Sequence, residues 1–142
     1  MTQSIQESLE SCIVFSVKKL DRALDKLTEE HFQKLGLRTS YATILMILHK
    51  ENGKLQKELA KMLCITAPTL TRLIEKLIHK GYVKIIAEGR TKRVYITDEA
   101  RELIPDIQIA FQNAQNHFLA LLQNNYPDEL VRELNKITEK IK

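Results

Sequence analysis

The chain has 142 residues, of which 44% are hydrophobic and 28% charged, and it contains only four glycines and three prolines. This length predicts one domain with one core, and the scarcity of glycine and proline argues against disordered and turn-rich β chains and favours helices. The longest apolar run, at residues 44–48, is about a quarter of the ~20 residues that cross a bilayer, and residues 1–4 lack the pattern of a signal peptide. We therefore expect a cytoplasmic, mainly helical protein with no membrane partner.

An apolar stripe at helical spacing extends from Ile5 to Leu35, and Gly36 is suited to end it, because glycine readily adopts the left-handed conformation. One helix over these residues would be about 45 Å long, which exceeds the width of a small domain. A stripe of that length predicts packing against another chain, and so a dimer. The stripe includes Cys12, whose thiol we expect to be buried and unreactive.

Three further helices are predicted in the middle of the chain. Thr39 or Ser40 caps the first of them, which ends near Lys50 and is followed by a turn at residues 52–53. The expected buried residues of this first helix are Ile44, Leu45 and Leu48. The second helix covers residues 56–63.

Thr66 caps the third of these helices, which tolerates Pro68 in its first turn and ends at Gly81. The period then changes, because residues 82–86 and 93–97 are rich in β-branched and aromatic side chains. They predict a β-hairpin. One face of the returning strand is expected to carry Val94 and Ile96, and the other Arg93 and Tyr95.

Two helices are predicted after the hairpin. Thr97 caps the first, and Pro105 lies too far inside it to be a first-turn proline, so we expect a kink there. Asn124 and Asn125 break this helix, and Pro127 opens the last one. The apolar stripe of the first consists of Leu103, Ile104, Ile107, Phe111, Ala114, Phe118 and Leu121. The last helix is expected to be buried through Leu130, Leu134, Ile137 and Ile141.

Positive charge is concentrated in the middle of the chain. Between Lys54 and Arg93 there are ten lysines and arginines against three glutamates, a net charge of +7, whereas the rest of the chain carries −3. A basic segment flanked by acidic ends is typical of a protein that binds a polyanion, and nucleic acid is the first candidate. A lysine-rich solvated surface without a partner would show the same charge.

Residues 55–97 combine a short helix, a tight turn, a capped helix and a hairpin, which is the order of a winged helix–turn–helix. A helix that enters the major groove needs short polar residues near its N-terminus and an arginine that reaches a guanine edge. The capped helix meets this demand opposite its buried stripe of Leu70, Leu73, Ile74 and Leu77. The predicted DNA-contacting residues of this helix are Thr66, Pro68, Thr69, Thr71, Arg72 and Lys76, with Thr66 and Thr69 also suited to phosphate contacts.

The hairpin offers a second contact with the duplex. Arg90 lies at its tip, and Lys92 and Arg93 follow on the returning strand. An arginine on a thin loop can enter the minor groove, where the potential is most negative. The alternative function of a basic hairpin is to keep an edge strand soluble and unpaired.

These segments resemble the DNA-binding region of the MarR (multiple antibiotic resistance regulator) family, and the resemblance is carried by residues 58–64 (ELAKMLC), 66–74 (TAPTLTRLI), 77–83 (LIHKGYV) and 88–97 (EGRTKRVYIT). It implies a mainly α fold with a small β-hairpin, and a homodimeric, double-stranded-DNA-binding transcription factor, most often a repressor. By this resemblance residues 1–142 form a single subunit. A winged helix–turn–helix lobe at 37–97 lies between helical dimerisation regions at 1–36 and 98–142.

By the same resemblance, Arg72 takes the place of the recognition-helix arginine and Arg90 that of the wing-tip arginine. The segment that leads to Arg90 is shorter than the usual wing of the family, so we expect it to insert less deeply. Leu55 stands near the position where the family normally has a capping threonine, and Glu88 stands where an aspartate is usual.

Many members of the family bind a small aromatic or phenolic acid between the dimerisation helices and the DNA-binding lobe, and others sense oxidants through a cysteine of the first helix. The resemblance therefore implies a ligand pocket and a redox site as expectations for this chain. The redox candidate is Cys12. The candidate pocket residues are Phe15, Arg22, Tyr41, His49 and Lys84, although Phe15 and Tyr41 would equally serve as core residues.

Two other classes of protein compete with a DNA-binding regulator. The four histidines form no His-Glu-x-x-His pattern, the two cysteines no metal cluster, and no glycine-rich phosphate loop or nucleophile elbow is present in the sequence. We therefore expect no enzyme activity, no metal and no cofactor. A helical scaffold that binds other proteins would not need the basic segment, and would show no affinity for DNA.

Overall fold

A computed structural model describes residues 4–123 and 126–142. Among the helices of these residues, none combines enough length with enough apolarity to cross a bilayer. The predicted fold class, mainly α with a small β element, is confirmed. In chain order the elements are α1 (Ile5–Glu10), α2 (Ile13–Phe32), a 3-10 turn (Gln33–Leu35), α3 (Thr39–Lys50), β1 (Lys54–Leu55), α4 (Gln56–Leu63), α5 (Ala67–His79), β2 (Val83–Glu88), β3 (Thr91–Ile96), α6 (Asp98–Arg101), α7 (Ile104–Leu121) and α8 (Pro127–Ile141).

One hydrophobic core is formed by α3, which packs on α5, α7 and β3, together with α5, which packs on β2. Phe32, the last residue of α2, is fully buried there, and its ring meets that of Phe111 edge to face with centroids 4.7 Å apart. Such aromatic pairs stabilise a core beyond the area they bury. The largest fully buried side chains include Phe32, Ile44, Leu45, Leu48, Leu59, Leu70, Ile74, Leu77, Val94 and Ile107.

The prediction of one continuous helix up to Leu35 is wrong at Cys12. α1 ends at Glu10, and Cys12 is the extended N-cap of α2, with φ −86° and ψ 118°. The Ser11 hydroxyl donates to the Ser8 carbonyl, and serines that bond the backbone in this way compete with the helical hydrogen bonds. The predicted end at Gly36 is confirmed, because this residue is left-handed with φ +61°.

The start of α3 also differs from the prediction. Arg38 occupies the N-cap and its side chain makes no cap hydrogen bond, so neither Thr39 nor Ser40 is the cap. Instead, the Thr39 N–H donates to the Glu29 carboxylate of α2, at 3.2 and 3.4 Å from the two oxygens. A side chain from another helix therefore satisfies the exposed end of α3. The predicted burial of this helix through Ile44, Leu45 and Leu48 is confirmed.

The sheet has three antiparallel strands in the order β1-β3-β2, one more than the predicted hairpin. β1 contains two residues, Lys54 opposite Val94 and Leu55 opposite Arg93, and is too short to leave a periodic signal. β2 and β3 are longer than predicted and are joined through Gly89, whose φ is +62°. The predicted faces are confirmed, because Val94 and Ile96 are buried while Arg93 is exposed and Tyr95 half-buried.

The helix after the wing is interrupted, and the predicted kink at Pro105 is wrong. α6 ends at Arg101, and Leu103 is the N-cap of α7, so Pro105 lies in the first turn of a new helix. A proline there costs little stability, because a first-turn N–H has no hydrogen-bond acceptor within its own helix. The predicted helix break at Asn124 and Asn125 lies outside the described residues.

Helix α8 begins at Pro127 as predicted, but its apolar stripe is not buried within one chain. Leu134, Ile137 and Ile141 are 54, 46 and 80% exposed, and Leu130 is half-buried. α8 is amphipathic, and the described part of its own subunit does not cover its apolar side. The prediction of burial is therefore wrong for the single chain.

Thr97 joins the wing to α6 through both functions of its hydroxyl. The Oγ1 atom donates to the Gly81 carbonyl at 2.8 Å and accepts from the Ala100 N–H at 3.3 Å. Replacing Thr97 by valine should lower the free energy of unfolding by about 1–2 kcal/mol, because a helix cap and the donor to a part-buried carbonyl are lost. Urea denaturation at one protein concentration measures this, with Thr97→Ser, which keeps the hydroxyl, as the matched control. Equal stability of the valine variant and the parent would contradict the assignment.

Candidate nucleic-acid interface

Helices α4 and α5 are joined by a turn of three residues. Cys64 ends α4 in the left-handed conformation, with φ 57°, and the Ile65 N–H donates to the Ala60 carbonyl. Thr66 then starts α5 with extended backbone, and its hydroxyl accepts from the Thr69 N–H. The predicted cap is confirmed. Thr66 and the turn before it fix the direction in which α5 leaves α4.

Helix α5 presents two different faces. Leu70, Ile74 and Leu77 are buried, and Leu73 is half-buried, as the sequence predicts. Arg72 lies on the other side and is exposed. Its guanidinium is therefore free to reach a base edge, which is the condition on which the sequence hypothesis depends. Thr66, Pro68, Thr71 and Lys76 are also exposed, and Thr69 is half-buried.

The threonines of α5 differ in what they offer to a duplex. The Thr66 and Thr69 hydroxyl oxygens are 2.8 Å apart and share one hydrogen bond, which leaves the other hydroxyl proton available to a phosphate. The Thr71 hydroxyl donates to the Ala67 carbonyl at 3.0 Å. Thr71 therefore retains only acceptor capacity toward DNA, together with its methyl group.

The wing tip lies beside the start of α5. A groove of about 420 Å³ separates them and is lined by Leu55, Gln56, Lys57, Ala67, Leu70, Thr71, Arg90, Thr91 and Lys92. The structure thus brings predicted residues of the helix and of the wing to one surface. It adds two residues of α4 to this surface. Lys57 was predicted only as part of the basic segment, and Gln56 was not predicted as a contact; the fold places both at the groove.

Arg93 is placed differently from the other predicted contacts. Its Nη1 atom donates to the carbonyl of Gly53, the residue before β1, at 3.0 Å. The side chain is exposed, but its guanidinium is engaged by the turn before β1. Arg93 is therefore attached to the scaffold, whereas Arg90 and Lys92 line the groove.

Lys54 belongs to the basic segment but its charge is balanced locally. Its Nζ lies 3.1 Å from a Glu51 oxygen and 3.4 Å from a Glu58 oxygen. Hydrogen bonds to Glu51, the larger contributor, and to Glu58 raise the pKa of the Lys54 ammonium above its usual range. Lys54 therefore adds little to the positive potential that a duplex would meet.

The five ligand-pocket candidates do not form a described pocket. Tyr41 is buried in the core, Phe15 is half-buried on α2, and Arg22, His49 and Lys84 are exposed. Neither the groove beside the wing nor a smaller pocket of about 260 Å³ beside Gly36 is lined by any of them. Among the described residues, no group of three or more His, Cys, Asp or Glu side chains is arranged for a metal ion.

The prediction that Cys12 is buried is wrong. The break between α1 and α2 moves Cys12 off the helical stripe, and its side chain is exposed in the single chain, as is that of Cys64. The argument that burial makes the thiol inert therefore does not hold for this structure. Oxidant sensing at Cys12 stays a prediction.

Residues 39–86 match the model of the MarR family, and the resemblance read from the sequence is confirmed. The uncharacterized HTH-type transcriptional regulator YwoH of Bacillus subtilis (strain 168) is 28% identical over 111 residues, which cover 76% of this chain and 80% of that protein. Among solved structures, the S. aureus MepR–DNA complex superposes with a TM-score of 0.81 at 16% identity, covering 92% of this chain and 98% of that one. CouR from Rhodococcus jostii RHA1, bound to p-coumaroyl-CoA, gives 0.77 at 19% identity, with 99% and 95% covered. At these identities the two structures show the shared fold.

The cap at Thr66 should contribute measurably to stability. Thr66→Ala should lower the free energy of unfolding by about 1 kcal/mol, because the first turn of α5 loses its side-chain acceptor. Thr66→Asp is the matched control, since aspartate retains an acceptor and places a negative charge at the helix N-terminus. Thermal and urea unfolding of the three proteins measure the difference. An alanine variant as stable as the parent would show that the turn alone positions α5.

Proposed function

We propose that this chain, whose residues 39–86 match the MarR family model, is a transcriptional regulator of that family and binds a pseudo-palindromic operator as a homodimer. Each subunit inserts α5 into the major groove, and the two half-sites are about one helical turn apart. The wing tip lies along the neighbouring backbone or minor groove. The bound dimer acts as a repressor, and a small aromatic or phenolic ligand releases it.

The observation that carries the proposal is the exposed polar face of α5 beside a basic wing. Arg72 is exposed on a helix whose opposite face is buried, so a duplex can reach it without any change in the core. Arg90 and Lys92 approach the same helix from the wing, and Lys57 from α4. Base readout and phosphate neutralisation thus occur on one surface, as sequence-specific binding requires.

The homodimer is supported by apolar surface that one chain leaves uncovered. Large side chains of α2 and α8 are 46 to 80% exposed, namely Ile13, Val14, Val17, Leu20, Val131, Leu134, Ile137 and Ile141. Contiguous apolar faces of this kind mark protein–protein interfaces. Both helices lie in the regions 1–36 and 98–142 that the family resemblance assigns to dimerisation. A second copy of the chain is the simplest partner that would cover both.

Ligand release rests on the family alone. CouR binds p-coumaroyl-CoA, and an equilibrium in which ligand and DNA favour different states of one dimer would couple the two bindings. The candidate residues Phe15, Arg22, Tyr41, His49 and Lys84 stay predictions for such a pocket, which would form between the dimerisation helices and the lobe.

Arg72 and Lys92 should affect DNA binding in different ways. Arg72→Ala should cost about 1–3 kcal/mol and relax base preference at one position of each half-site, whereas Lys92→Ala should weaken binding evenly across sequences. If each lobe neutralises about four phosphates, log K should fall with log[salt] with a slope near −7 in the parent, and Lys92→Ala should make it shallower. Titration of a duplex from upstream of the chain's own reading frame, against a random duplex of equal length, measures both effects.

Arg101→Ala is the matched control for Arg72, since it removes an exposed arginine on α6, outside the basic segment. It should leave affinity and base preference unchanged. If Arg72→Ala bound the specific and random duplexes as the parent does, α5 would not be the recognition helix. If the parent bound no DNA at all, the helical scaffold would be the better assignment.

The dimer should depend on the apolar side of α8. Leu134→Asp should dissociate it at micromolar concentrations, because an unpaired carboxylate in an apolar interface is strongly unfavourable. Lys136→Asp is the matched control on the same helix, two residues away and outside the apolar stripe. Sedimentation velocity measures the mass of each. A parent that sediments as a monomer, or a Leu134→Asp variant that stays dimeric, would contradict the proposed interface.

A further inference from the structure

The turn between α3 and β1 is held to β3 by three hydrogen bonds. The Asn52 Oδ1 atom accepts from the Ile96 N–H at 2.9 Å, and the Gly53 N–H donates to the Val94 carbonyl at 3.0 Å. The Gly53 carbonyl accepts from Arg93 Nη1 at 3.0 Å. Each bond joins residues at least forty positions apart, and all three end on β3, the returning strand of the wing.

Asn52 replaces a strand partner that the fold does not supply. β1 pairs only with Arg93 and Val94, so the N–H of Ile96 lies beyond the end of that strand. A buried N–H without an acceptor is costly, and the Asn52 amide oxygen satisfies it. The side chain of Asn52 therefore extends the short β1 edge by one hydrogen bond.

Gly53 makes the approach of the turn possible. It is buried with φ +78°, and a Cβ atom there would lie 2.9 Å from Cε1 of the Tyr95 ring. The turn consequently packs directly on Tyr95. The three hydrogen bonds at Asn52 and Gly53, together with this contact, fix β3 relative to the end of α3.

The same turn leads through β1 to the groove beside the wing tip. β1 leads directly into α4, whose Gln56 and Lys57 line the groove opposite Arg90 and Lys92. Fixing β3 to the turn before β1 would therefore constrain the width of the groove between the wing and the helix–turn–helix. The guanidinium of Arg93 contributes to this attachment through its hydrogen bond to the Gly53 carbonyl.

We propose that Asn52 and Arg93 are positioning residues that hold the wing at the angle at which Arg90 and Lys92 contact DNA. For Arg93 this replaces the direct contact predicted from the sequence. The inference rests on the proposed function, because it assigns a role within the same DNA-binding surface.

The first test is a substitution that removes no charge. Asn52→Ala should weaken binding of the upstream duplex about fivefold or more. Fivefold corresponds to about 1 kcal/mol, the smallest loss expected when an arginine contact is removed. It should also make the salt slope shallower by about 0.9 to 1.8, as if one or two phosphate contacts were lost. Asn52→Asp keeps an acceptor for the Ile96 N–H. Arg90→Ala should therefore lower the DNA affinity of Asn52→Asp by the same factor as it lowers that of the parent. The negative charge that Asn52→Asp adds changes only the starting affinity.

The second test places both variants in a chain whose wing tip has been neutralised by Arg90→Ala and Lys92→Ala. A positioning residue has no further effect there, so Asn52→Ala and Arg93→Ala should each bind DNA as this background does. A direct phosphate contact by Arg93 would instead lower the slope by about 0.9 in either background. Arg93→Ala removes one part-buried hydrogen bond of an exposed side chain, and this variant serves as the test if Asn52→Ala does not fold.

The outcomes separate the two levels of the proposal. A parent that binds specifically through Arg72, with Asn52 and Arg93 effects that persist in the neutralised background, would overturn the positioning role alone. Unchanged affinity and slope in Asn52→Ala and Arg93→Ala would do the same. A parent without affinity for DNA would overturn the proposed function together with this inference.

Discussion

The structure depends on α5 having one buried face and one free face. Leu70, Ile74 and Leu77 close the core on one side, and burial of three such side chains is worth several kcal/mol. The same packing prevents the helix from rotating, so Arg72 is held outward. Because Thr66 fixes the first residue of the helix, neither its rotation nor its register can vary without loss of the core.

A second constraint is that one chain has too little apolar surface to cover its own outer helices. α2 packs on α7, and its last residue, Phe32, reaches the core, but the outward side of its first half is exposed. α8 contributes no buried residue to its own subunit. Stripes that would serve as the core of a larger domain are thus exposed on the single chain. In the proposed dimer, the same sequence pattern would encode both the subunit and its association.

Local signals in the sequence were sufficient for most of the fold. Caps at Thr66 and Thr97, the left-handed Gly36 and the helical periods depend on residues within a few positions of one another, so they can be read without the fold. β1 could not be predicted, because two residues become a strand only by pairing with Arg93 and Val94. The breaks at Cys12 and Leu103 likewise interrupt apolar periods that continue across them. For the candidate site, the helical wheel predicted the exposure of Arg72, but the engagement of Arg93 depends on a carbonyl forty residues away.

The end of α2 is attached both to the start of α3 and to α7. The Glu29 carboxylate of α2 accepts from the N–H of Thr39 at the start of α3, and His31 Nε2 lies 3.0 Å from His117 Nδ1 of α7. Phe32, the last residue of α2, is fully buried in the core. The end of α2 is therefore continuous with the core on which α5 packs. In the proposed dimer, the angle at which α2 and α8 meet their copies then sets the separation of the two α5 helices. Any ligand that changes this angle would change the half-site spacing without altering a residue that touches DNA.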